Sequence, residues 1–126
     1  MSKTGALRAA VVEIIGRHAP YVYYGQADPG HPKQYVVYDL EEIARIDNQT
    51  TVQMEVNCMD YGTDTLACET MADNIQTAFD HNMTMTDSIM FHGYIDRRQP
   101  VYEEDRKIIR RRLLFTLYLY ERSNTK

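Results

Sequence analysis

The run TVQMEVNCMDYGTDTLACETMADNIQTAF, residues 51–79, constrains this chain more than any other. Val52, Met54, Val56 and Cys58 alternate with Gln53, Glu55 and Asn57. That is the two-residue period of a strand with one face in a core and the other in water. The period then changes. After the turn at Asp60-Tyr61-Gly62-Thr63, the residues Leu66, Ala67, Thr70, Met71, Ile75, Ala78 and Phe79 form a stripe with the period of a helix. Thr63 stands where it can cap that helix. A half-buried strand that turns directly into an amphipathic helix requires the helix to lie back on the sheet.

The flanking segments extend this pattern. Leu7, Ala10, Val11, Ile14 and Ile15 mark one face of a helix from Gly5 to His18, capped by Thr4 and stopped by Pro20. YVYYG is a short strand, and residues 25–34 form a polar loop with two Gly and two Pro. YVVYDL is a second strand, and EEIARIDNQ either extends it to a turn at Asp47-Asn48 or leaves it. In SIMFHGYIDRR, Ile89, Phe91, Gly93 and Ile95 alternate with Met90, His92 and Tyr94. In KIIRRRLLFTLYLYER, Ile109, Leu113, Phe115, Leu117 and Leu119 share a face, and Arg110, Arg112, Leu114, Thr116, Tyr118 and Tyr120 share the other. The order α-β-β-β-α-β-β has few connections long enough for parallel crossovers, so the sheet is expected to be mainly antiparallel. The expected fold is α+β, a two-layer sandwich with both helices on one face of the sheet. At 126 residues the chain is expected to be a single domain over 1–126, with residues 1–4 and 122–126 frayed.

Composition narrows the functional classes. No apolar run approaches the roughly 18 residues that span a bilayer, and Arg8 and Glu13 interrupt the N-terminal apolar clusters. The expectation is a protein made in a reducing cytoplasm with no membrane partner. Cys58 and Cys68 then read as small buried hydrophobes, and the Asn48 and Asn82 N-x-T triplets carry no meaning. A net charge of −4 argues against bulk nucleic-acid binding. Half of the fourteen Lys and Arg nevertheless fall between residues 97 and 112, with Glu103, Glu104 and Asp105 among them. Opposite charges around a turn suit a solvated hairpin end.

Motifs with chemistry are sparse. His18, His31, His81 and His92 show no metal-ligand spacing, and no phosphate loop or nucleophile motif occurs. Asp28 with His31 could touch a cation, and Asp80, His81 and Asp87 could form an acid–base group, but a plain loop and a solvated helix end explain both better. Met83 and Met85 read equally as a soft contact surface or as inward-turned side chains. No catalytic residue, metal or cofactor is expected. If the helices cover the Leu113/Phe115/Leu117 face, then Leu114, Tyr118 and Tyr120 face outward. Ten of the thirteen aromatics are Tyr, whose apolar ring and wet hydroxyl suit a partly covered surface. That favours assembly over catalysis.

The short first helix, the YVVY strand after a Pro-containing loop, the VQMEV strand turning into LACETMADNIQTAF, and the closing RRRLLFTLYLYER together resemble the small tail-completion, or tail-terminator, proteins of long-tailed bacteriophages and prophages. The resemblance covers about residues 5–122. It implies a structural virion protein with no catalytic residues. Its copies would form a ring, usually a hexamer, that caps the tail tube, stops its growth and joins the head. The implied partners are other copies, the tail tube protein and head-neck proteins, with DNA passing through the lumen. Other neck components, such as head-closure and minor capsid proteins, and a small α+β ligand-binding domain or enzyme, are the alternatives. In a ring, Arg110 and Arg112 are expected to meet Asp39, Glu41 and Glu42 of a neighbour, or else the lumen or solvent. Leu114, Tyr118 and Tyr120 would share that interface. The loop carrying Asp28, His31 and Lys33 is expected to order against a neighbour or the tail tube.

Overall fold

The computed structural model describes residues 2–122. The elements are α1 (Lys3–Gly16), β1 (Val22–Tyr24), β2 (Tyr35–Ile46), β3 (Gln49–Tyr61), α2 (Leu66–Phe79), β4 (Met83–Met85), β5 (Ile89–Pro100) and β6 (Ile108–Glu121). The strands form one six-stranded sheet in the order β1-β2-β3-β6-β5-β4. Among the strand pairs of the described residues, only β1–β2 is parallel, with one isolated parallel bridge between Asp80 and Gly93. The α+β class is as expected, but the sheet curls into a half-barrel rather than lying flat. The segment between α2 and β5, read as loop, supplies the extra strand β4. Of the ends expected to fray, residues 1 and 123–126 lie outside the described residues, whereas Lys3 and Thr4 form the first turn of α1.

Both helices and the inward side chains of the strands build one core. From the sheet come Val36, Val56, Cys58, Phe91, Leu113, Phe115 and Leu117, and from α1 Leu7, Val11 and Ile15. The α2 face is rotated from expectation. It buries Cys68, Met71, Ala72, Ile75 and Phe79, while Leu66, in the first turn, is 69% exposed. Both caps also move. Ser2 Oγ, not Thr4, accepts from the Gly5 N–H at 3.0 Å, and Asp64 Oδ1, not Thr63, accepts from the Leu66 N–H at 2.9 Å. Either acceptor satisfies a first-turn donor that the helix itself leaves free.

Three local features set which way side chains point. The β2–β3 hairpin turns at Asp47-Asn48, so EEIARI continues β2, and Asp47 takes φ 52° in the left-handed region that Asp tolerates. Bulges interrupt β2 between Glu42 and Ala44 and β5 between Ile95 and Arg97. Each reverses the alternation beyond it. At the end of α2, the His81 N–H donates to the Gly93 carbonyl at 2.7 Å and Asp80 Oδ1 accepts from the Ile95 N–H at 2.9 Å. The helix is thereby fastened to β5.

Candidate assembly surface

The sheet face away from the helices carries no helix and divides into two zones. On β4, β5 and β6 lie Met83, Met85, Met90, His92, Tyr94, Tyr118 and Tyr120, brought into rows by the register Met83–His92–Tyr118 and Met85–Met90–Tyr120. The His92 ring sits 5.6, 5.3 and 6.1 Å from the rings of Tyr94, Tyr118 and Tyr120. Its Nε2 is buried without a hydrogen-bond partner. Met83 and Met85 are 63% and 56% exposed, so they form surface rather than core. The sequence left both orientations open, and the β4 register decides between them.

The second zone, on β2, β3 and the start of β6, is charged. Arg112 pairs with Glu55 at 3.1 Å, Arg110 pairs with Glu103 at 3.6 Å, and Arg110 Nε donates to Asn57 Oδ1 at 2.8 Å. Asn57 in turn donates to Glu55 at 2.9 Å. Arg110 and Arg112 therefore have partners within their own chain. The acids expected to meet them from a neighbour, Asp39, Glu41 and Glu42, lie exposed on β2 and form no ion pair among the described residues. Burial, and then repulsion from Glu55 on the facing strand, holds the Asp39 carboxyl above its ordinary range.

The basic run 97–112 does not act as one patch. Arg98 and Arg111 point to the helix side. Arg98 reaches Glu69 at 2.9 Å, Asp73 at 2.7 Å and Gln76 at 3.0 Å, and Arg111 reaches Glu69 at 3.1 Å. These contacts clamp α2 to the sheet. Arg97, Arg106 and Lys107 are exposed and make no ion pair among the described residues. Leu114, between the zones, is half-buried on the open face.

The loop at 25–34 closes one end of the sheet. His31 stacks on Tyr35 at 4.1 Å, and with Lys33, Tyr61 and Glu103 it lines a cavity of about 530 Å³. Asp28 meets His31 only through its carbonyl, which accepts the His31 N–H at 3.0 Å. The imagined acid–base group also comes apart: Asp80 contacts His81 Nδ1 at 2.9 Å but serves the β5 backbone, and Asp87 lies exposed in the β4–β5 turn. Cys58 and Cys68 are both fully buried, and the Cys68 thiol donates to the Cys58 carbonyl at 3.3 Å. Burial pushes both thiols up, Cys68 to about 11. Among the described residues no helix is long and apolar enough to cross a membrane, and no cluster of three potential metal ligands occurs.

No protein-family model matches the chain, and no curated protein matches it. Among solved structures it is similar to a chain in the virion of a native gene transfer agent particle. The similarity has a TM-score of 0.61 at 14% identity and covers 94% of this chain and 92% of the other. At that identity the likeness is one of fold.

Proposed function

We propose that the chain is a structural protein of a phage-like particle, whose copies form a ring, most simply a hexamer, that completes the tail tube and joins it to the head. The observation that carries this reading is the near full-length fold likeness to a chain of a gene transfer agent virion. Two further features support it. The sequence resembles tail-completion proteins, and the sheet face away from the helices concentrates Tyr, Met and His side chains with no helix over them. Such residues suit a surface that a partner fills. The role is one of assembly, with the virion as its location and other copies, the tube protein and neck proteins as partners.

The test has two parts. Light scattering over a concentration series should give a mass several times that of one chain, or do so once tube protein is added. Loss of the protein in a particle-producing strain should leave tail tubes that overrun their length or fail to join heads. Tails of normal length beside unsealed heads would move the role to the head side of the neck. Normal particles would end the reading.

A further inference from the structure

Both edges of the sheet are only half covered, and the halves are complementary. At one edge β1 pairs with Val36–Tyr38 and leaves the rest of β2, to Ile46, without a strand beside it. At the other, β4 pairs with Met90–His92 and leaves β5 from Tyr94 to Pro100 without one. The register across the sheet puts these pieces at matching levels. Val22 and Tyr24 of β1 lie level with Pro100 and Arg98 of β5. Met83 and Met85 of β4 lie level with Ala44 and Ile46 of β2. Each short strand therefore stands at the height of the gap on the opposite edge.

We propose that copies join edge to edge, with β1 of one copy and β4 of the next lying end to end in a single strand position between β2 and the neighbour's β5. This deepens the ring reading and rests on it. Strand direction permits the joint. β5 runs opposite to β2, and β1 and β4 both run with β2, so the shared position holds two short strands of one direction. Chemistry favours it as well. Exposed Met83 and Met85 would come beside Ala44 and the 69% exposed Ile46, all on the open face. Between the two short strands the position holds no strand, and Gly25, which follows β1 beside Asp39, has no side chain to cover it. There Asp39, with Glu41 next to it on the same face, lies level with Arg97 of the neighbour through the row Asp39–Glu55–Leu114–Arg97. Within one copy, three strand spacings separate Asp39 from Arg97, roughly 14 Å, so they pair only between copies. The two edges differ, so the contact is head-to-tail, the kind that closes into rings. A bulge on each exposed segment keeps that edge from pairing indiscriminately.

The test is charge reversal with rescue, together with a cross-link. Asp39→Arg and Arg97→Asp should each leave the melting curve unchanged and weaken self-association about tenfold or more, and the two together should restore it. Ile46→Cys mixed with Met85→Cys should oxidise to a mixed dimer in excess over either variant alone, because Cys58 and Cys68 are buried and do not compete. Both results are required. If the parent protein associates but the reversals leave association intact, the double variant fails to recover, or no mixed dimer is enriched, the edge joint is overturned and the ring reading stands. If the parent protein stays monomeric alone and with tube protein, both fall.

Discussion

Gly93 is where the α2 end, β4 and β5 meet, and the structure leaves no room there for even a methyl group. A Cβ at this position would lie 2.7 Å from Leu117 Cδ2 and 3.0 Å from the Phe79 carbonyl oxygen. Leu117 is fully buried among core side chains, so its methyl has little space to retreat. The Phe79 carbonyl is backbone at the last residue of α2, and the next residues are tied to β5 through the His81–Gly93 hydrogen bond. Overpacking of this kind costs about 1–3 kcal/mol. Losing a glycine also restricts the unfolded chain, which offsets roughly 0.4–1 kcal/mol. Gly93→Ala should therefore lose about 1–2 kcal/mol net, and Gly93→Val more. Urea unfolding followed by circular dichroism should show a lower midpoint with an unchanged slope. Repeating Gly93→Ala in a Leu117→Ala background separates the two contacts. Shortening Leu117 removes one clash, but the carbonyl contact stays, so a loss of the same sign should persist. An alanine variant as stable as the parent would show that β5 and the α2 end shift apart freely, and the fastening described above would be wrong.

Two further outcomes follow from the site geometry. Arg98→Ala removes contacts to Glu69, Asp73 and Gln76, but Glu69 keeps Arg111, so the loss by urea unfolding should be about 1 kcal/mol. Arg98→Lys should recover only part of it, since one ammonium cannot serve three acceptors spread along the helix; full recovery would reduce the clamp to simple charge. The buried thiols should resist a thiol reagent at pH 8 in the folded protein and react once it is unfolded. Both are held protonated in the folded state, so their contribution to stability is fully present below the ordinary thiol value of 9.0 and is lost as pH climbs, for Cys68 through about 11. The urea midpoint should fall between pH 8 and pH 10, and a rise would contradict the burial of these groups.

What could be read from the residues was whatever periodicity carries without interruption. β3 and β6 pair without a bulge, and the faces assigned to them from sequence are the faces in the structure, although Asn57 on the open face of β3 is buried as well. The misread places are those where one extra residue or one short element changes the phase. In β5, alternation counted from Ile89 puts Arg98 with His92 and Tyr94 on the open face. The bulge at Asp96 turns it to the helix side instead, where it meets α2. The same arithmetic in β2 carries Ala44 and Ile46 to the open face beyond Ile43. β4 has three residues, and Met-Thr-Met shows a single period, too little to tell from a loop. In α2 the large Leu66 drew the predicted stripe toward itself, whereas small residues, Cys68 and Ala72, occupy the buried face beside Met71 and Ile75. They fit against the sheet because they are small, which a hydrophobicity count undervalues. These local shifts decide what the charges do. The basic run looks like one patch in sequence, yet strand parity and a bulge send Arg98 and Arg111 to hold α2, and Arg110 and Arg112 to Glu55 and Glu103. Arg97, on the far side of the bulge from Ile95, lies on the open face at the height of Asp39 and forms no ion pair among the described residues. In the proposed edge joint, Asp39 and Glu41 are the sequence-named acids that face the open side, Glu42 lies opposite Val52 on the helix side, and the cation level with Asp39 is on the outer strand β5 rather than on β6.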